Sequence, residues 1–181
     1  GISSLLTGMG IVLVGSGLLG TALPVRAGLE GFSEFAVGVV MSAYYVGFIL
    51  GTVWCGAIIR RVGHIRGFAA FAALATVCIL LHGIFVNPVA WTLLRTLVGA
   101  SQIGIYITVE SWLNERADRT TRGSIHAVYE MVGLGALAAG QFLITVGDLM
   151  SNLPFLLAAG LFALGLIPVA LTRLPEPGRH A

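Results

Sequence analysis

The chain has 181 residues with ten arginines, no lysine and eight acidic side chains, for a formal net charge of +2. Hydrophobic residues make up 57% of it and charged residues only 10%, and the mean hydropathy is +0.96. Soluble domains carry about 25% charged residues, and a globule of this size has too little interior to bury so much apolar surface. The composition therefore predicts a protein embedded in lipid, and the absence of a basic, aromatic-rich stripe argues against a nucleic-acid partner.

Six apolar runs are long enough to cross a bilayer core, which requires about 20 helical residues. In chain order they are Ser4–Leu23, closed by Pro24; Phe35–Ile59, closed by arginines; Gly67–Val86; Val89–Leu113; Ser124–Val146; and Leu153–Leu171. The sequence predicts an all-α membrane protein, with a bundle of six transmembrane helices over residues 1–173. The polar segment 174–181, broken by proline and glycine, is predicted to begin a cytoplasmic linker.

Arginines are distributed unevenly between the two sides of the predicted bundle. The 2–3 loop, the 4–5 loop and the tail hold eight of them, whereas the opposite loops hold Arg26 alone. Cytoplasmic loops of membrane proteins are enriched in arginine and lysine. This rule places the 2–3 loop, the 4–5 loop and both ends of the segment in the cytoplasm, in what we expect to be a bacterial inner membrane.

A short internal similarity links the two halves of the chain. The stretch 13–20, Leu-Val-Gly-Ser-Gly-Leu-Leu-Gly, resembles 97–104, Leu-Val-Gly-Ala-Ser-Gln-Ile-Gly. Three helices followed by three helices that start from the opposite side form an inverted repeat, which is a common architecture of secondary transporters. We therefore predict a 3+3 inverted repeat.

Polar residues recur on one face of the fourth and fifth spans at helical spacing. The fourth carries Arg95, Gly99, Gln102, Tyr106 and Glu110, and the fifth carries His126, Glu130, Gly133, Gln141 and Asp148, interrupted by Leu137. A charge at the bilayer centre costs about 3 kcal/mol or more, so such stripes face the bundle interior or a wet cavity. Glycine-rich spans 1 and 2, the latter with Tyr44 and Tyr45, are predicted to line this cavity with spans 4 and 5, and spans 3 and 6 to be peripheral and to face lipid.

Several motifs resemble those of the major facilitator superfamily. Its 2–3 loop carries Gly-x-x-x-Asp-Arg-x-Gly-Arg-Lys/Arg, and here Gly56, Arg61 and Gly63 match, while Arg60 replaces the Asp and His64-Ile65 replace the basic pair before Arg66. Arg95-x-x-x-Gly99 is similar to an Arg-x-x-x-Gly motif that the family associates with proton coupling. The family's Gly-Pro of the fifth helix is missing, since Gly140 precedes Gln141.

Two further strings, 62–66 and 110–115, resemble the YcaD-like bacterial branch of that family. The resemblance implies the N-terminal half of a twelve-helix secondary transporter that moves a small solute by alternating access. Its partners would be the bilayer, the solute and a second six-helix half, supplied by further chain or by a second copy. The polar stripes and these motifs together predict three groups of residues: substrate contacts at Tyr44, Tyr45, Arg95, Gln102, Tyr106 and Gln141; proton coupling at Glu130 and Arg95; and a cytoplasmic gate at Gly56, Arg60, Arg61, Gly63, Arg66, Glu110 and Arg122.

Most of these assignments have an alternative in the sequence. Arg95 could extend to the membrane surface as an anchor. The other substrate contacts, at Gln102, Tyr106, Tyr44, Tyr45 and Gln141, could instead be interhelical hydrogen-bond partners. Burial favours the protonated form of a carboxylate, which makes Glu130 a candidate proton carrier, but it could also pair statically with Arg60 or Arg61. Glu110 is expected to bind Arg61 or Arg122 in one conformation and release it in another.

Known enzyme motifs are missing from the sequence. It has no phosphate-binding loop, no His-Glu-x-x-His and no useful Cys-His spacing, so we predict no enzymatic activity, no cofactor and no metal site. Two functions besides that of a transporter half remain open. They are a complete small transporter that dimerises, and a structural or receptor-like membrane module without transport.

Overall fold

The structure is a computed structural model, and it describes residues 1–172. Within that range the chain forms six long α-helices and no strand, so the predicted all-α fold with six spans is confirmed. All six helices are long and apolar enough to cross a membrane. Arg173, Arg179 and the predicted linker 174–181 lie outside the described residues. The helices are α1 (Ile2–Leu29), α2 (Glu34–Val62), α3 (His64–Ile84), α4 (Pro88–Arg116), α5 (Arg122–Phe142), which a short 3₁₀ turn Leu143–Thr145 follows, and α6 (Leu153–Ala170).

Local sequence explains where several helices begin. Ser33 precedes α2, and its side chain accepts a hydrogen bond from the Ala36 amide at 3.1 Å. Asn87 does the same for α4, accepting from the Ala90 amide at 2.8 Å, with Pro88 as the first helical residue. Both satisfy a backbone donor that a helix start leaves free, and proline suits the first turn because its missing N–H has no helical partner there.

Two predicted helix ends are wrong. Pro24 does not close the first span, because α1 continues through it to Leu29; membrane helices tolerate proline where neighbouring groups compensate for the lost hydrogen bond. The arginines do not close the second span either. Arg60 and Arg61 lie inside the last turn of α2, where a positive charge interacts favourably with the helix dipole. Gly63 caps the end of the helix with a φ of +90°, a conformation that glycine adopts readily.

The pairing of helices has an internal symmetry. α1 packs on α5 and α6, α4 packs on α2 and α3, and α3 packs on α6. Exchanging the first three helices with the last three reproduces these five pairings, as an inverted repeat requires. α1 and α4 are therefore the central helices, while α2 and α5 each have one main neighbour and a broad exposed apolar face that includes Tyr45, Met131 and Leu134.

Glycines allow the closest helix crossings. At the α2–α4 crossing, a Cβ on Gly47 would meet the Thr96 carbonyl and one on Gly99 would meet the Tyr44 carbonyl. At the α1–α6 crossing, Gly8 and Gly165 face each other in the same way. Without a hydrophobic drive between helices in lipid, such small residues let backbones make close van der Waals contact.

The prediction that spans 3 and 6 are peripheral needs a correction. Only Phe162 of α6 reaches the polar cavity described below, and no residue of α3 lines it, but the two helices are not simply lipid-facing. They pack on each other, and His82 of α3 is fully buried, with its ring stacked on Phe155 of α6 at a centroid distance of 6.0 Å.

A polar cavity as the candidate functional site

One large cavity lies between the helices that carry the polar stripes. Its volume is about 740 Å³, which is within the range that holds small organic ligands. The lining comes from α1, α2, α4 and α5, the four helices that the sequence predicts, and from Phe162 of α6. The cavity brings together all the predicted substrate contacts and both carboxylates: Tyr44, Tyr45, Arg95, Gln102, Tyr106, Glu110, Glu130 and Gln141.

Arg95 lies inside the bundle and does not extend to the surface. It is only 5% exposed, and its guanidinium carbon lies 4.5 Å from the centre of the Tyr44 ring. Its Nε atom has no hydrogen-bond partner, and within residues 1–172 no carboxylate approaches it within 4.0 Å. The alternative of a surface anchor is therefore wrong, and Arg95 is a buried cation paired only with an aromatic face.

Gln102 lies two turns further along α4 on the same face. It is 1% exposed, and its Oε1 accepts a hydrogen bond from the Ser16 hydroxyl at 2.6 Å. This bond joins the two central helices, α1 and α4. The amide nitrogen Nε2 of Gln102 is left without a partner, so a second unused N–H donor lies in the cavity wall.

Carboxylates occupy the other end of the cavity. Glu110 accepts a hydrogen bond from the Tyr129 hydroxyl at 3.0 Å, and Glu130 lines the same region from α5. Among residues 1–172, neither Arg61 nor Arg122 pairs with Glu110, and neither Arg60 nor Arg61 pairs with Glu130. Static pairing of Glu130 with those arginines is absent from this conformation.

The predicted gate residues share one end of the bundle, which we call the arginine-rich end. They are mostly exposed, and they lie in or near the ends of α2 and α4 and the beginnings of α3 and α5. Arg60 lies along α2, since a Cβ on Gly56 would be 3.4 Å from its terminal nitrogen. In the α4–α5 loop, hydrogen bonds from the Thr120 side chain and then from Thr121 lower the pKa of Asp118 to about 2.

The fifth helix contributes less than the sequence pattern predicts. α5 ends at Phe142, so Asp148 lies beyond it in the α5–α6 loop, where its Oδ1 accepts a hydrogen bond from the Met150 amide at 2.9 Å. His126 does not line the cavity, and its ring lies 5.8 Å from that of Tyr129. Helical spacing places Asp148 on the stripe only if α5 continues that far, and it does not. Gly147, with φ of +73°, is the residue in the sequence that indicates a turn there.

His64 joins the two strings that resemble the YcaD-like branch. Its Nε2 lies 3.0 Å from the Ser111 hydroxyl and 3.8 Å from a Glu115 carboxylate oxygen, and its ring packs on Trp112 at 5.7 Å. The tight turn at Gly63 sets this placement by starting α3 directly after α2. Sequence reasoning found no partner for His64, because contact between segments 47 residues apart depends on how α3 packs against α4.

The sequence gives no sign that Arg26 is buried and has several partners. It is 6% exposed and binds Glu30 at 2.7 Å, and its Nη1 donates to the carbonyls of Leu149 and Ser151 at 2.9 and 2.6 Å. Its guanidinium also lies 5.4 Å from the centre of the Phe155 ring. Arg26 therefore holds the α5–α6 loop against α1 through these hydrogen bonds and is not a free surface charge.

These features define an integral membrane protein of the helical type that encloses a solute-sized polar cavity. The chain belongs to the Major Facilitator Superfamily, whose family profile matches residues 5–181. It is 31% identical over 177 residues to an uncharacterized MFS-type transporter of Enterobacter sp. (strain 638), covering 96% of this chain and 46% of that protein. It is 32% identical over 173 residues to the uncharacterized MFS-type transporter YcaD of Escherichia coli (strain K12 / DH10B), covering 94% and 44% respectively.

The predicted resemblance to the family and to its YcaD-like branch is thereby confirmed. The chain spans about half the length of the curated relatives it matches. A six-helix bundle of this length is what half of a twelve-helix transporter fold requires.

Proposed function

We propose that this chain forms one half of a secondary active transporter that moves a small solute by alternating access. The observation that carries this proposal is the polar cavity of about 740 Å³ between α1, α2, α4 and α5. Its open side coincides with the exposed apolar faces of α2 and α5, where a second six-helix half would complete the pathway. The doubled length of the relatives supports a second half within one chain; a second copy of this chain is the alternative for the same face.

The charge distribution supports an orientation in the bacterial inner membrane. Six arginines surround the described part of the arginine-rich end, at positions 60, 61, 66, 116, 119 and 122. At the opposite end Arg26 donates hydrogen bonds to two backbone carbonyls and forms an ion pair with Glu30. This sharpens the asymmetry on which the positive-inside rule depends, so we place the arginine-rich end in the cytoplasm.

We assign the gate to the arginine-rich end and proton coupling to Glu130. Glu110 accepts its hydrogen bond from Tyr129, with no arginine on it among the described residues, so this conformation would be the one in which Glu110 has released Arg61 or Arg122. Glu130 lies on the cavity wall, where a carboxylate can exchange protons with the interior water. Arg95 would take part in coupling only through the charge of the bound solute, because no described carboxylate lies beside it.

The test is transport by the full-length protein in liposomes loaded with a pH-sensitive dye. We expect at least one of a panel of organic acids, amines and neutral solutes to change the internal pH in the wild type. Glu130→Gln should abolish that change, and Glu34→Gln should leave it intact, because Glu34 is exposed at the start of α2, away from the cavity. Solute transport with an unchanged pH dependence in Glu130→Gln would disprove the coupling assignment, and no transport of any solute would disprove the function.

A further inference from the structure

The charges of the cavity are separated between its two ends. Arg95 lies near the start of α4, and Glu110 follows it by 15 residues, which corresponds to about 22 Å along a helix. Glu130 belongs to the carboxylate end, since it lies near Tyr106 along with Glu110. The cavity therefore has a cationic end and an anionic end, and the groups at each end differ in whether they already have partners.

At the cationic end the buried nitrogen atoms without a partner are all donors. Arg95 makes no hydrogen bond or ion pair with any of the described residues, and its Nε is unpartnered. Nε2 of Gln102 is unpartnered as well, whereas the oxygen of that amide is occupied by Ser16. A buried cation at membrane depth costs about 3 kcal/mol or more unless something pairs with it, and a guanidinium fits a carboxylate through two parallel hydrogen bonds.

Aromatic side chains form the wall beside Arg95. The rings of Tyr44 and Tyr45 meet edge to face at 5.2 Å, and Tyr44 continues to Phe48 at 6.0 Å and from there to Tyr106 at 6.0 Å. All four line the cavity. Such a wall can hold a flat or apolar body next to a charged group. An amine placed there would meet the like charge of Arg95, which has no carboxylate within 4.0 Å among the described residues.

From these contacts we propose that the cavity binds a small organic anion, with its carboxylate on Arg95 and its apolar or aromatic body against Tyr44, Tyr45 and Phe48. The proposal rests on the transport function proposed above, because it names the class of solute that the cavity would carry. Binding of that solute can be measured without transport.

The experiment measures ligand binding to the purified full-length protein in detergent. The probes are benzoate, 4-hydroxybenzoate and hexanoate, each compared with its primary amide and with the corresponding amine. The variants are Arg95→Gln, Arg95→Lys and, as a matched control on the same helix, Arg116→Gln, which changes an exposed arginine outside the cavity. Binding is followed by calorimetry and by the shift of the thermal unfolding midpoint.

We expect at least one carboxylate to bind the wild type at least tenfold more tightly than its amide or amine. Arg95→Gln should lose at least tenfold in affinity, Arg95→Lys should recover part of it, and Arg116→Gln should match the wild type. If Arg95→Gln does not fold, the comparison of carboxylate, amide and amine on the wild type and on Arg95→Lys still decides. Equal binding of all three charge classes, absence of carboxylate binding, or undiminished binding by Arg95→Gln would overturn the proposal.

Parallel transport measurements separate this proposal from the function on which it rests. Arg95-dependent binding of a carboxylate without transport in liposomes would contradict the transporter and leave the anion site standing. Transport of amines or neutral solutes, with no carboxylate bound, would contradict the anion site and leave the transporter standing.

Discussion

Replacing Gly8 by alanine should force α1 and α6 apart. A Cβ atom at Gly8 would lie 2.6 Å from the Gly165 carbonyl oxygen, and one at Gly165 would lie 2.7 Å from the Gly8 carbonyl oxygen. Ordinary contact begins at 3.4 Å, so the backbones must separate by about 0.8 Å. Because the obstacle is backbone, it cannot be removed by a change of rotamer.

The magnitude follows from two opposing effects. Overpacking a tight contact costs about 1–3 kcal/mol, and alanine in a helix interior is favoured over glycine by about 0.5–1 kcal/mol. We expect Gly8→Ala and Gly165→Ala each to lower the free energy of unfolding by about 1–2 kcal/mol. The double variant should lose less than the sum, since one separation of the helices accommodates both methyl groups.

The assay is reversible unfolding of the full-length protein by SDS in mixed micelles, followed by circular dichroism. Gly160→Ala is the matched control, because it lies on α6 and a Cβ there meets nothing within 4 Å. It should leave stability unchanged or raise it by up to about 1 kcal/mol. Gly8→Ala as stable as Gly160→Ala would refute the reasoning about close backbone contact.

Two further predictions concern the ends of the bundle. Arg26→Met should lower the free energy of unfolding by about 1–3 kcal/mol in the same assay, because it leaves the partly buried carbonyls of Leu149 and Ser151 in the α5–α6 loop without a donor; unchanged stability would contradict this role of Arg26. In the α4–α5 loop, hydrogen bonds from Thr120 and Thr121 hold the pKa of Asp118 at about 2, below its ordinary 3.8. A lowered pKa means that the ionised Asp118 carboxylate stabilises the loop at pH values above its ordinary pKa. That stabilisation is lost as the pH falls toward 2 and the carboxylate becomes protonated. The protection of the Thr120 and Thr121 amides, measured as the exchange rate relative to the intrinsic rate at the same pH, should therefore be lost between about pH 4 and pH 2, and Asp118→Ala should lack that protection at every pH.

Sequence alone predicts the number and kind of helices, the four helices α1, α2, α4 and α5 that line the cavity, and the polar face of α4. Length and hydropathy define the spans because lipid imposes a fixed thickness. Polar spacing places Arg95 and Gln102 on one face of α4 because the helical period is fixed, and the structure puts both in the cavity wall.

Contacts between distant segments were beyond sequence reasoning. The bond between Ser16 and Gln102 and the cluster around His64 depend on which helices cross, and at what level. Helix ends failed for a different reason. Proline predicts a helix end at Pro24, but α1 continues through it, and helical spacing predicts Asp148 on the stripe of α5, but that helix ends at Phe142.

Accessibility of a cysteine placed at Leu134 tests alternating access most directly. Leu134 lines the cavity from α5 with its side chain 67% exposed, and the control position Leu164 lies on α6 with its side chain 52% exposed. In a full-length background with all native cysteines, including Cys55 and Cys78, replaced by serine, a charged, impermeant thiol reagent is added to vesicles of each orientation. The account predicts that Leu134→Cys reacts from both sides and Leu164→Cys from neither. Reaction of Leu134→Cys from one side only, or from neither side, would contradict it.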